Sequence, residues 1–409
     1  MKGAIKRKLS DVCTIIAGQS PESKYYNQDG IGLPFFQGKA DFGDLYPTIR
    51  TYCSTPTKIA QKNDILLSVR APVGATNLAP TKVCIGRGLT AIRPADCLNT
   101  KYLLLFFRYF QAELAQKGAG TTFNAITQTV VKNIEIPVPS ISAQERLVSK
   151  IEELFSEIDN AVSSLKAAKQ KIAAYRQSIL KEAFQGKLTS KHPTIRASLN
   201  WQKHLPSLPE IPQEWKYVRL DQLGELARGK SKHRPRNDPK LFQGGKYPFI
   251  QTGEVKASNG RIRTCEKLYG EFGLSQSKLW PKGTLCITIA ANIAETGFLE
   301  IEACFPDSVV GFTAQQLVLP KYIRYFILSE RLKLWAFAPA TAQKNINLST
   351  LENLIIPYCD MEEQKNIINI IETKFSTCDS IECTINKTLQ EAKALKQSIL
   401  KRAFERGLT

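Results

Sequence analysis

The segment Gly224 to Ser231, GELARGKS, has the G-x-x-x-x-G-K-[ST] spacing with which a loop between a strand and a helix cradles the phosphates of a nucleotide. Its surroundings do not suit that chemistry. Pro235 and Pro239 follow almost at once and deny the loop a helix N-terminus, and the interior Glu-Leu-Ala-Arg is not glycine-rich. Other catalytic arrangements find no seat either. There are three histidines, His192, His204 and His233, and the ten cysteines form no C-x-x-C pair, so neither a zinc site nor a disulfide framework is expected. The thiols are read as reduced and mostly buried. Pro306-Asp307 has no Glu-x-Lys close behind it, the first to follow being Glu363 to Lys365, and no Asn/Asp-Pro-Pro-Tyr/Phe motif with a glycine-rich cofactor turn occurs. The expectation is a chain that binds without catalysing, with no catalytic residue, metal or cofactor of its own.

What the residues do offer is charge. Lys and Arg number 56 against 37 Asp and Glu, a formal net charge of +19 in 409 residues, the footprint of a partner made of phosphates or of an anionic surface. A membrane fits less well. The longest apolar candidate, Tyr102 to Phe110, falls short of the roughly 20 residues of a membrane helix and carries Arg108. The opening stretch has basic Lys6, Arg7 and Lys8 but an apolar run broken by Asp11, unlike a signal peptide, so a cytoplasmic chain is expected. The charge is concentrated, with 17 basic against 9 acidic residues in 1–139 and 20 against 13 in 216–360. The densest cluster is Arg228, Lys230, Lys232, Arg234 and Arg236, with Lys240 behind it. Such a loop neutralises phosphates or forks to guanine edges; a merely solvated loop is the alternative. Earlier in the chain Lys39, Arg50, Lys58, Arg70 and Arg87 are dispersed candidates. Asn124 in GTTFNAIT (Gly120 to Thr127) and Lys344 and Asn345 in ATAQKNIN (Ala340 to Asn347) could add base contacts, or these stretches are turns into the next strand.

The elements that must position these residues come twice. QSILKEAFQGKLT, Gln177 to Thr189, returns as QSILKRAFERGLT, Gln397 to Thr409, and the same shift of 220 runs back without a gap to Pro137 and Pro357. From Ile134 to Thr189, 19 of 56 positions match, far above chance. Upstream, the shift aligns only fragments, such as Thr121 with Thr341 and Ile126 with Ile346. Within the repeated part Ile151, Leu154, Ile158, Ala161, Leu165, Ala168, Ile172, Tyr175 and Ile179 step by 3 and 4, a coiled-coil seam. The second copy places Ile371, Lys374, Cys378, Ile381, Ile385, Thr388, Ala392, Leu395 and Ile399 at the same steps, weakened by Lys374 and Thr388. A helix from about Gln144 to Phe184, capped by Ser142 and stopped at Gly186, follows. The two helices are read as partners, or else each packs on its own domain.

Ahead of each helix, Asp64 to Val69 and Gly283 to Ile289 look like strands, while Tyr102 to Phe110 and Ile323 to Trp335 look helical. The fold class is α+β, two globular mixed α/β domains separated by two long antiparallel coiled-coil helices with an internal pseudo-twofold repeat. The expected order is a first domain at 1–139, a first helix at 140–189, a linker at 190–215 stiffened by Pro193, Pro206, Pro209 and Pro212, a second domain at 216–360 and a second helix at 361–409.

With these motifs in place the chain resembles the specificity subunit of type I restriction-modification systems, over essentially its whole length. The resemblance rests on IPVPSISAQERLVSKIEELF, IIPYCDMEEQKNIINIIETKF, the two SILK-A-F endings and PSLPEIPQEWKYVRL; LDQLGELARGKSKHRP looks like that family's opening of a recognition domain, matched by LSDVCTIIAGQSP from Leu9. The resemblance implies two target recognition domains, each reading one half of a split, asymmetric double-stranded DNA target, and a helix pair that acts as a ruler. It implies two modification subunits as partners, which bring S-adenosylmethionine, and restriction subunits in the full complex, which bring ATP and Mg, in defence against foreign DNA. A coiled-coil scaffold that binds RNA or acidic proteins without sequence preference is the rival reading.

Overall fold

The computed structural model describes residues 5–119, 125–189, 194–195, 208–337 and 345–407. The chain divides into two compact units, Met1–Ala167 with Ile385–Thr409, and Ala168–Thr384. Each unit therefore holds one recognition-type domain, the start of the long helix that follows it and the end of the other long helix.

In the first unit the strands Cys13–Ala17, Leu89–Pro94, Ile65–Ser68 and Thr76–Leu78 hydrogen-bond in that order into an antiparallel sheet. Ile65 and Leu67 point to a cluster with Leu103 and Phe107 of the helix Thr100–Ala119, while Leu66, between them, points to a cluster with Phe36, Val83 and Ile85. Burial on both faces is why this strand reads as a continuous apolar run rather than an alternating one. The second cluster belongs to another sheet, ordered Tyr26–Asn27, Tyr52–Cys53, Leu33–Phe36, Val83–Ile85, Ile59–Ala60, in which Leu33–Phe36 and Val83–Ile85 run parallel.

The second unit repeats the plan. Gly224–Arg228, Val309–Ala314, Leu285–Thr288, Thr296–Leu299 and Arg261–Ile262 form one sheet, and Lys267–Tyr269, Tyr247–Phe249, Ala303–Cys304 and Leu279–Trp280 the other, with Tyr247–Phe249 and Ala303–Cys304 parallel. Leu285 and Ile287 again face a helix, Pro320–Phe337, and Cys286 faces the other way. The shift of 220 now carries strand onto strand from Ile59–Ala60 and Leu279–Trp280 onward. The stretches that differ in sequence thus share a fold, because a core demands apolar side chains of fitting volume rather than particular ones.

The long helices are Ile141–Ala183 and Met361–Arg406. The first begins before the capping pattern expected at Ser142: the amides of Ala143 and Gln144 bond to the carbonyl of Ser140. Gln144 is fully buried and acts as a clamp, its Oε1 accepting from the amide of Asn99 and its Nε2 donating to the carbonyls of Cys97 and Pro139. Gln364 makes the same three bonds, to Leu319, Leu317 and Cys359. Beside each clamp a buried tyrosine, Tyr102 or Tyr322, donates its hydroxyl to the carbonyl of Pro137 or Pro357.

Along the helices Ile151, Leu154, Ile158, Leu165, Ile172 and Ile179, with Ile371, Ile385 and Ile399, are buried or half-buried, as the seam requires. Four positions read into it face out instead: Ala161, Tyr175, Ile381 and Leu395 are exposed. The reason is phase. Phe155 and Phe375 turn inward one residue after Leu154 and Lys374, so the steps run 4 then 3, and Val162, Arg176, Glu382 and Lys396 take the inner positions. The inward cations are matched across the repeat. In the second unit the Arg176 guanidinium lies 5.0 Å over the Phe375 ring and bonds Asp379 at 2.7 Å and Glu382 at 3.3 Å. In the first, the Lys396 ammonium lies 4.8 Å over Phe155 and bonds Asp159 at 2.6 Å. In the second unit the helical segments run antiparallel, since Arg176 meets Asp379 while Thr189 meets Glu363 further back.

Each helix ends in a core. Phe184 packs edge-on against Tyr322 and Phe326, both at 5.1 Å, and Phe404 sits among Tyr102, Phe106 and Tyr109 at 5.3 to 5.6 Å. The expected linker is in part folded: Thr194–Ile195 pairs with Ile211–Pro212, and Ile211 and Trp215 are buried in the second unit's core, where large apolar side chains find cover.

Candidate nucleic-acid interface

The false phosphate loop resolves first. Gly224–Arg228 is a strand paired along its whole length with Val309–Ala314, and Gly229 then bonds through its amide to the carbonyl of Val309. The basic residues beyond it stand on the surface. Arg228, Lys230 and Lys232 are exposed, and among the described residues none of them has an ion pair. The loop itself is fixed from within. Arg234 donates to the carbonyls of Ser231 and His233, Arg236 bonds both oxygens of Asp307 at 2.7 and 2.9 Å, and His233 bonds Asp238 at 2.8 Å. The backbone amide of Lys240 and the His233 ring hold the Asp238 carboxyl below the usual carboxylate range. The loop therefore presents ordered cations rather than a mobile tail.

In the first domain Lys39, Arg50, Lys58, Arg70 and Arg87 are all exposed. Arg50 pairs with Asp41 at 3.7 Å. Arg87 and Asp41 line one recess of about 510 Å³ together with Ser20, Tyr26, Phe35 and Gln37. Lys39 lies instead in a cleft of about 650 Å³ with Arg108, Lys166 and Lys396, a more basic place than its sequence neighbours suggest. Lys58 and Arg70 are not among the residues lining either. Arg70 and Ala125 form an isolated bridge, as do Ala290 and Asn345. Asn124 and Lys344 lie outside the described residues.

Gln37 and Ser20 escaped the sequence reading, which followed charge. A signal was present: Pro34-Phe35-Phe36-Gln37 and Pro248-Phe249-Ile250-Gln251 share P-F-x-Q at corresponding strands.

Two domains of one plan, each with exposed cations on the same kind of scaffold, suit a reader of a two-part anionic target. The family model for the type I restriction modification DNA specificity domain matches residues 1–170 and 212–391. The chain belongs to that family. Among specificity subunits, the protein named as MjaX of Methanocaldococcus jannaschii is 41% identical over 138 residues, which span 34% of this chain and 32% of that protein. The EcoKI specificity subunit of Escherichia coli strain K12 is 23% identical over 435 positions, covering 100% of this chain and 90% of its own. A chain in a solved structure concerned with complex assembly and conformational transition of the type I R-M system superposes with a TM-score of 0.72 at 18% identity, covering 100% of this chain and 99% of its own. That likeness carries the fold. The family assignment sets aside the RNA or acidic-protein scaffold. No helix among the described residues is long and apolar enough to cross a membrane.

Proposed function

We propose that this specificity-family chain reads a split, asymmetric DNA sequence, one half with each domain, and docks two modification subunits and, in the full complex, restriction subunits. It does no chemistry itself. S-adenosylmethionine, ATP and Mg belong to the partners, a reading supported by the nucleotide-loop pattern at Gly224 to Ser231 starting as a paired strand, Gly224–Arg228. The observation that carries the proposal is the repeated domain: one fold, built twice with different surface residues, is what two unlike half-sites require. Membership of the DNA specificity family supports the same reading.

The long helices would set the number of base pairs between the half-sites. Removing one heptad from each, Val162–Ala168 and Glu382–Thr388, shortens a helix by about 10 Å at 1.5 Å per residue. Against about 3.4 Å per base pair this is about three base pairs. DNA selected from a random pool by the purified complex should then carry both half-sites unchanged with a spacer about three base pairs shorter. An unchanged spacer refutes the ruler, and selected DNA without a two-part motif refutes the reading as a whole.

A further inference from the structure

We propose that each domain reads a guanine of its half-site with one arginine held at the end of its parallel strand pair: Arg87 in the first domain and Arg236 in the second. This rests on the DNA-reading function proposed above. The two corners are equivalent in structure. In the first, the parallel strands Leu33–Phe36 and Val83–Ile85 are followed by Gln37 and Arg87. In the second, Tyr247–Phe249 and Ala303–Cys304 are followed by Gln251 and Asp307. The third side of each corner is tied by the same bond, Gly18 to the carbonyl of Leu89 and Gly229 to that of Val309, both 2.9 Å. Each turn also closes alike, Leu89 bonding to Gly86 and Val309 to Pro306 at 3.0 Å.

At the position of Arg87 the second domain has the opposite charge, Asp307. That aspartate holds the guanidinium of Arg236, which arrives from the loop after the Gly224–Arg228 strand. An arginine thus occupies the same corner in both domains although different chain segments supply it. Inverting the charge in sequence and restoring it in space is what a shared reading point would need and what scattered surface charge would not produce.

The local construction favours a base over a phosphate. Arg87 stands between Gly86 and Gly88, whose backbones press so closely on Gln37 that an added Cβ would lie 2.6 and 2.5 Å from its atoms, leaving Arg87 the one side chain rising from the turn. Its backbone amide donates to Ser20 Oγ at 3.2 Å, the same hydroxyl accepts from the Gln37 side-chain amide at 2.9 Å, and Arg87 and Gln37 line one recess. Arg236 meets Asp307 through one terminal nitrogen, Nη2, so its remaining donors stay available. A guanidinium carried by a fixed backbone, as in Arg87, or held by a carboxylate, as in Arg236, matches the O6 and N7 acceptors of guanine as a fork; lysines such as Lys230 and Lys232 suit phosphates.

The test maps the methylated motif made by the chain with its modification subunit, for the native protein and for Arg87→Ala, Arg87→Lys and Arg236→Ala. With Arg87→Ala, preference for one guanine in one half-site should fall by roughly 5- to 150-fold, the other half-site staying intact. Arg236→Ala should do the same in the other half. Arg87→Lys keeps the charge but not the fork and should resemble Arg87→Ala. An unchanged motif in both alanine variants overturns the proposal, as does an equal loss at every position that lysine restores, the mark of a phosphate contact. If a variant abolishes methylation, the native complex is assayed on duplexes carrying 7-deazaguanine at one guanine at a time. One sensitive guanine in each half-site supports the proposal and uniform tolerance overturns it. A native complex with no split motif refutes the DNA-reading function itself, a separate outcome.

Discussion

Replacing Gln364 by methionine keeps the volume of a fully buried side chain and removes its polar atoms. Two backbone groups lose their partner, the amide of Leu319 and the carbonyl of Cys359, both bonded at 2.9 Å, while the carbonyl of Leu317, at 3.1 Å, keeps the Tyr358 hydroxyl at 3.4 Å. An unsatisfied buried group costs about 1 to 3 kcal/mol, so two of them at the lower bound cost about 2 kcal/mol. The turn they hold includes Leu317, a non-glycine residue at φ 69°, which has little reason to keep that conformation once released. All four tryptophans, Trp201, Trp215, Trp280 and Trp335, fall within Ala168–Thr384, so intrinsic fluorescence in urea follows that unit. With a urea slope of about 2 to 3 kcal/mol per M, the midpoint should drop by about 0.7 M or more. Gln364→Glu adds a pH dependence. Its carboxylate would face two carbonyl oxygens, which raises its folded pKa above the unfolded value. The stability is then kept below about pH 4.3 and lost as the pH rises through the folded pKa. A methionine variant within about 0.3 M of the native midpoint, or a glutamate variant that gains stability with rising pH, refutes the clamp.

Phe184→Ala and Phe404→Ala should each cost about 3 to 5 kcal/mol by opening a cavity in an aromatic cluster; in urea titrations the tryptophan signal should register the first directly, and equal small effects would contradict the packing. Leu395→Ser, at a position that faces solvent, should change stability by less than about 0.5 kcal/mol, whereas Ile385→Ser should cost several times more in thermal melts; the reverse order would restore the other seam phase. Burial pushes the thiols of Cys13 and Cys359 up to about 12. The unfolded chain then loses these protons first, so urea midpoints should fall as the pH rises above about 9; a profile unchanged by Cys359→Ala would rule out that thiol's share.

The repeat was plain in the sequence because QSILK-A-F is a contiguous match, and both helices and the strands around Ile65 and Leu285 follow from local apolar patterns. The seam phase was not, because Leu154 and Phe155 are both apolar neighbours and a helix offers i+3 and i+4 on one face; only packing decides between them. Arg176 and Lys396 look misplaced inside a seam until Phe375, Asp379 and their counterparts are brought opposite. The reading corner was hidden for a different reason. Ser20, Gln37 and Arg87 lie 17 and 50 residues apart and meet only through a parallel strand pair, which needs a long crossover. Arg236 and Asp307 are 71 residues apart in the chain, and nothing local in either announces the other.

The proposed role of this chain is to supply DNA sequence specificity through two domains. The most direct measurement is methylation mapping of genomic DNA from cells carrying the chain with its modification subunit, beside cells carrying that subunit alone. A split methylated motif of two unlike halves with a fixed spacer is expected, present only when the chain is present. The same methylation without the chain, or none at all although the two proteins associate, would contradict it.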